Sequence, residues 1–164
     1  IYEFLRFSLQ PLSQHDMATL HEWRKKFIQE KIEAIMLPAA RALLQQHRDQ
    51  GHTLLIITAT NRFVTEPIAA MLGVEHLLAT EPEVKQGRYT GNVSGTPSFR
   101  EGKVENLKLW LKATGMNLAS SWFYSDSLND LPLLEMVTHP VAVDPDDTLA
   151  DHARMRDWPI ISLR

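Results

Sequence analysis

Two carboxylates, Asp126 and Asp130, stand four residues apart with an amide, Asn129, between them. Oxygen donors with no thiol or imidazole beside them suit a hard cation such as Mg²⁺. The apolar run Trp122–Tyr124 precedes them and is long enough for a buried strand of a parallel sheet. Pro132 is tolerated only in the first turn of a helix, so a helix is expected to begin near Asn129 or Asp130. Ser125 to Leu128 then lie on the turn leaving the carboxyl end of the strand, the edge where open α/β sheets bind ligands. The plainer alternative is that Asp130 caps the helix and Asp126 is a turn residue.

A second polar group follows the strongest strand signal, Thr53-Leu-Leu-Ile-Ile-Thr58, an apolar run rich in β-branching. It leads into Thr58-Ala59-Thr60-Asn61. Small and hydroxylated residues there leave backbone N–H groups and a hydroxyl free for an anion. Ordinary capping by Thr58, Thr60 or Thr65 would explain the same residues.

The elements that must position these groups alternate in type. Tyr2, Leu5 and Leu9 have helical spacing, and Pro11 is expected to stop that helix. Ser13 or Asp16 would cap a second helix through Met17, Leu20, Trp23, Phe27 and Ile28. Its Arg24-Lys25-Lys26 is either an anion-attracting patch or a solvated face. The register breaks around Ala34–Leu37, and a helix opens on Pro38 and ends at Gly51. A helix after Asn61 should end at Gly73, with Pro67 implying a late start or a kink. His76–Thr80 reads as a short strand, and Gln86-Gly87 as the turn of a β-hairpin or flap. A helix beginning between Ser98 and Lys103 carries Val104, Leu107 and Leu111 on one face, and Ser98 and Glu101 have capping-box spacing. A strand at 140–143, a helix within 147–156 and a strand at 159–163 close the chain. Strands alternating with helices predict an α/β fold with a largely parallel sheet.

Composition limits the function classes. The 164 residues suit one domain with at most a small appendage. An apolar share of 44% and a charged share of 23% are ordinary for a soluble globular chain. A net charge of −3 gives no support for a nucleic-acid partner. The absence of cysteine excludes disulfides, zinc–thiolate sites and thiol nucleophiles. No run approaches the roughly eighteen apolar residues of a membrane span, and Glu3 and Arg6 interrupt the N-terminal apolar stretch. A cytoplasmic protein is expected. The seven histidines are scattered, with no i, i+4 pair for a helical metal site. The chain opens on Ile1, which suggests that this is not the biological start.

Together the segments resemble the haloacid-dehalogenase superfamily of phosphohydrolases, defined by four short motifs on successive strand ends. Thr58, closing Leu54-Leu-Ile-Ile-Thr, is similar to the second motif. Lys103, in Glu101-Gly-Lys-Val104, is similar to the third. Ser125-Asp126-Ser-Leu-Asn129-Asp130 is similar to the fourth. The hairpin with Gly87-Arg-Tyr-Thr-Gly91 resembles the branch that includes phosphoserine phosphatase, which carries a small helical cap. The resemblance implies a Rossmann-like three-layer α/β core with a mostly parallel sheet over residues 36–164. Residues 1–35 would be the remaining part of the cap.

It also implies a chemistry: Mg²⁺-dependent hydrolysis of a small phosphorylated metabolite through an aspartyl-phosphate intermediate. Asp126 would hold the metal. Lys103 would place its charge on the transferring phosphoryl oxygens, and Thr58 and the Ala59 N–H would complete the clamp. Asn129 would donate to phosphate, and Asp130 would orient Lys103 or bind the metal through water. These side chains are expected to converge on one cleft. The superfamily's first motif, a strand ending in Asp-x-Asp, has no match ahead of the second motif in this sequence. Its first aspartate is the nucleophile and its second the general acid and base. That strand lies mid-sheet, and unpaired backbone groups left there would cost about 1–3 kcal/mol each if buried. An upstream segment carrying the motif is therefore expected, with the chain as written inactive. The alternative is a non-catalytic binder of phosphate ligands that has lost its nucleophile. Thr58-Ala59-Thr60 lacks the glycines that usually follow this position in phosphoserine phosphatases, which argues against phosphoserine itself. A nucleotide-cofactor enzyme on a Rossmann-like sheet ranks last, because no Gly-x-Gly-x-x-Gly follows any strand.

Overall fold

A computed structural model of the chain describes residues 2–164. Ile1 and the side chain of Tyr2, the first apolar position of the expected opening helix, lie outside the described residues. The chain divides into two units, one ending at Ser98 and the other beginning at Phe99.

The first unit opens with α1 (Tyr2–Gln14) and α2 (Met17–Phe27). Pro11 does not stop α1 but lies inside it. Pro11 is exposed, while Leu9 and Leu12 on either side of it are buried and hold the segment helical. The cap of α2 is Asp16, whose carboxylate accepts the Thr19 N–H at 2.9 Å. A π-helical turn over Ile28–Ile32 and a 3₁₀ turn over Glu33–Ile35 follow α2. Met36 is extended, and Pro38 opens α3 (Pro38–Asp49).

The strand β1 (Leu55–Asn61) outruns its expected end at Thr58. Its parallel ladder to β2 (His76–Lys85) sets Ile57 on Leu78 and next Asn61 on Thr80. Thr58, Ala59 and Thr60 therefore bulge between two paired positions rather than forming a loop. Asn61, not a threonine, caps α4 (Arg62–Met71), accepting the Val64 N–H at 3.1 Å.

Pro67 brings no late start to α4; it sits within the helix and has no N–H to offer the Phe63 carbonyl one turn back. Arg24 supplies the missing donor, its Nη1 lying 2.8 Å from that oxygen and its guanidinium 4.6 Å from the Phe63 ring centroid. Arg24 is thus a fastener between α2 and α4, while Lys26 pairs with Glu30 on the surface.

β2 turns at Gln86-Gly87, both with positive φ, into antiparallel β3 (Arg88–Ser94). The core of this unit joins Leu9, Leu12, Leu20 and Phe63, with a second cluster of Ala69, Leu77 and Ala79 beneath α4.

In the second unit, α5 (Glu101–Thr114) ends at Gly115, whose φ of +71° gives the left-handed turn. Then come β4 (Trp122–Ser125), a 3₁₀ turn at Leu128–Asp130, and the short α6 (Leu131–Leu134) with Pro132 in its first turn. The unit closes with β5 (His139–Val143), α7 (Asp147–Met155) and β6 (Ile160–Ile161). The three strands pair in parallel in the order β4-β5-β6. Leu134, Ala142, Leu149 and Ala153 form its core. The fold is thus α/β with mostly parallel pairing and one hairpin. Hydrogen bonding among the described residues sorts its strands into two three-stranded sheets rather than a single one.

Candidate functional site

The carboxyl end of β4 is organised by a buried ion pair. Lys103 Nζ donates to Asp130 Oδ1 at 2.6 Å. Ser125 Oγ, on the last residue of β4, donates to the other oxygen, Oδ2, at 2.8 Å. Both carboxylate oxygens of Asp130 are thereby engaged, and Lys103 and Asp130 are 8% and 7% exposed. The Asp130 side chain makes no capping bond to α6, so capping does not account for it. Ser125 Oγ also accepts the Ser127 N–H at 3.1 Å, which curls the turn back onto the strand end.

Asp126 differs from Asp130 in every respect that matters for a ligand. It is exposed, and among the described residues its carboxylate has no hydrogen-bond or ion-pair partner. No group of three or more His, Asp or Glu side chains able to hold a metal occurs among the described residues. The donors present therefore fit Mg²⁺ as part of a shell, with one free hard carboxylate from Asp126 and none from Asp130.

Asn129 is exposed on the same turn. Its N–H donates to Ser127 Oγ at 3.2 Å, and its Oδ1 accepts from Arg100 Nε at 3.0 Å. Lys103, Asp126, Asn129 and Asp130 all belong to the second unit.

Thr58 and Ala59 belong to the first unit and are partly buried in the β1 bulge. Thr58 Oγ1 accepts the Thr60 N–H at 3.2 Å. Thr80, fully buried, donates its hydroxyl to the Ala59 carbonyl at 2.8 Å and accepts the Ser98 N–H at 3.2 Å. The bulge is thus held by a side chain where the ladder lapses. Ser98 is drawn into this network, and its Oγ is buried with no partner among the described residues. It does not form the expected capping box, and α5 starts instead from Arg100 with no side-chain cap.

The sequence reading gives no role to Ser125, Thr80 or Arg100. Ser125 had a usable signal, a hydroxyl at the end of a strand five residues before a carboxylate destined for burial. The contacts of Thr80 and Arg100 depend on long-range packing and leave no local pattern. The two histidines His47 and His52 also meet, Nδ1 to Nδ1 at 2.8 Å, at the end of α3. A cavity of about 410 Å³ opens between α1 and β3, lined by Arg6, Phe7, Gln10, Ser13 and Thr90 among others. None of the expected site residues lines it.

Comparison with known proteins supplies context for this geometry. The sequence model of the family described as haloacid dehalogenase-like hydrolase matches residues 2–135. The chain is 41% identical over 165 aligned positions to the histidinol-phosphatase of Neisseria meningitidis serogroup C (strain 8013), covering 98% of this chain and 74% of that protein. It is 37% identical over 124 positions to phosphoserine phosphatase SerB1 of Mycobacterium tuberculosis (strain ATCC 25618 / H37Rv), covering 76% of this chain and 40% of that one. The crystal structure of a protein of unknown function from Bordetella pertussis Tohama I matches it with a TM-score of 0.97 at 43% identity, over 99% of this chain and 74% of that one.

Proposed function

The chain belongs to the haloacid dehalogenase-like hydrolase family, and we propose that it forms the charge-binding part of a phosphatase that hydrolyses a small phosphorylated metabolite. The observation that carries this reading is the Lys103–Asp130–Ser125 network at the end of β4, beside Asp126, which has no partner among the described residues. A buried lysine held at 2.6 Å by a carboxylate is fixed in position, as a residue facing a developing phosphoryl charge must be. Asp130 serves as its orienting partner. Asp126 is the carboxylate this chain offers to Mg²⁺, and the metal when bound would polarise the phosphoryl oxygens. Asn129 supplies a neutral donor to phosphate, and the Thr58–Ala59 bulge offers donors of the same kind within the first unit. Preorganised donors of this kind favour the transition state because they need no reorientation as charge develops.

The nucleophile and general acid of the proposed reaction come from an Asp-x-Asp segment preceding these residues in the full protein. Its first carboxylate attacks phosphorus as the P–O bond to the ester oxygen breaks, and the second carboxyl protonates that oxygen. Water then attacks the acyl phosphate and releases inorganic phosphate. Support comes from the order of the segments: the Asp-x-Asp of this sequence, Asp144-Pro145-Asp146, follows β5 and its Asp144 carboxylate accepts the Leu163 N–H at 3.1 Å, and none precedes β1.

Among small phosphate monoesters, histidinol phosphate is the first to assay, given the 41% identity to a protein of that name. The test is hydrolysis of histidinol phosphate, phosphoserine and p-nitrophenyl phosphate with Mg²⁺, by this 164-residue chain and by a version extended upstream. The extended protein is expected to turn over, and the short chain is not. Turnover by the short chain would place the nucleophile among residues read here as structural. An upstream sequence without Asp-x-Asp, coupled with phosphate binding and no turnover, would favour a non-catalytic binder.

A further inference from the structure

Arg100 stands at a backbone position that arginine does not favour. Its φ of 47° and ψ of −118° fall where only glycine is at ease. The Gly102 N–H donates to the Phe99 carbonyl at 2.9 Å and closes a tight turn over Phe99–Gly102, with Arg100 at its first central residue. These are the features of a type II′ turn, which calls for glycine there.

The guanidinium lies 5.3 Å from the ring centroid of neighbouring Phe99 and makes one hydrogen bond among the described residues. Arg100 Nε donates to Asn129 Oδ1 at 3.0 Å. That bond fixes the amide with its oxygen toward Arg100, so its two Nδ2 donors face away, with no partner among the described residues. Arg100 pairs with no carboxylate among the described residues, and its two terminal nitrogens carry no hydrogen bond there. It is exposed, as is Asn129. The pair therefore presents guanidinium and amide N–H groups side by side, a donor set suited to the oxygens of an anion.

Charge balance among the side chains before a metal binds also favours this role. The positive charge of Lys103 is matched by Asp130 at 2.6 Å and is buried. Asp126 adds an unmatched negative charge on the exposed turn. Without Arg100 and before Mg²⁺ binds, these side chains carry a net negative charge, which opposes the approach of a dianionic phosphate. Arg100 cancels it from the solvent-facing side, where an incoming ester first meets the protein.

We propose that Arg100 is a phosphate-contacting residue that captures the phosphate group of the substrate together with Asn129. This inference rests on the reading of the β4 edge as a phosphate site. It adds a second cation, placed outside the buried lysine.

The test exploits the turn. In Arg100→Gly the backbone is relieved and the guanidinium is lost, so the variant is expected to melt at a higher temperature while binding phosphate more weakly. Inorganic phosphate is titrated into the chain and followed by calorimetry and by amide chemical shifts. Arg100→Gly is expected to weaken phosphate affinity by about tenfold to a hundredfold and to reduce its dependence on salt. Arg100→Lys, which keeps the charge without the fork, should recover part of the loss. A Lys103→Met arm, checked for folding by circular dichroism, reports on the underlying site. Weakening in Lys103→Met with unchanged affinity in Arg100→Gly overturns the role of Arg100 and leaves the proposed function standing. Absence of phosphate binding by the wild-type chain overturns both. A lower melting temperature in Arg100→Gly, with phosphate affinity unchanged, would make Arg100 a purely structural residue.

Discussion

Lys103 Nζ and Asp130 Oδ1 lie 2.6 Å apart, and both side chains are about nine-tenths buried. The pair joins α5 to the turn after β4, and Ser125 holds the second carboxylate oxygen. Removing one partner of a buried pair leaves an uncompensated charge, which costs more than the pair contributes. Lys103→Met should therefore lower unfolding free energy by about 3–5 kcal/mol, measured by urea denaturation. The double variant Lys103→Met/Asp130→Leu should be less destabilised than Lys103→Met alone, because no charge is then stranded. A loss within experimental error for Lys103→Met would mean that the pair is solvated in solution.

Stability should also depend on pH through His47. Burial, reinforced by the charge of neighbouring His52, lowers its pKa below the ordinary 6.5. The unfolded chain then binds a proton more readily than the folded one. The stability that neutral His47 contributes is full above about pH 6.5 and is lost as pH falls through its folded value. Asp144 and Glu83 are also lowered, by hydrogen bonds from Ser162 and Thr90 respectively, and act in the same direction at more acidic pH. The melting temperature should thus fall between pH 7 and pH 5.5, and His47→Gln should flatten that interval while leaving the acid limb. An unchanged interval in His47→Gln would assign the titration to another group.

Much of this architecture is legible in local sequence. The apolar runs at Leu54–Ile57 and Trp122–Tyr124, the Gln86-Gly87 turn, and the prolines at 38 and 132 each fix one backbone choice within a few residues. The misreadings share a cause, which is a distant residue supplying what the local pattern lacks. Pro67 is accommodated inside α4 because Arg24, on another helix, bonds the carbonyl that the proline leaves open. Ser98 gives up a capping box because the buried Thr80 hydroxyl takes its N–H. The strand at Thr58 continues to Asn61 because Thr80 bridges the bulge where the ladder lapses. At the candidate site, Asp126, Asn129 and Asp130 are evident from spacing, and Lys103 from the family resemblance. Which carboxylate is buried and which is free is not, because that division depends on α5 bringing Lys103 against Asp130.

The most direct test of the account is the metal dependence of Asp126→Ala in the protein extended upstream. Asp126 is exposed, with no hydrogen-bond or ion-pair partner among the described residues, so its removal should leave the melting temperature and circular dichroism of the protein unchanged. Hydrolysis of p-nitrophenyl phosphate is measured across a Mg²⁺ titration for wild type and variant. The account predicts Mg²⁺-dependent turnover in the wild type and its loss by about a hundredfold or more in Asp126→Ala. Equal turnover with an equal Mg²⁺ midpoint in the two proteins would contradict it.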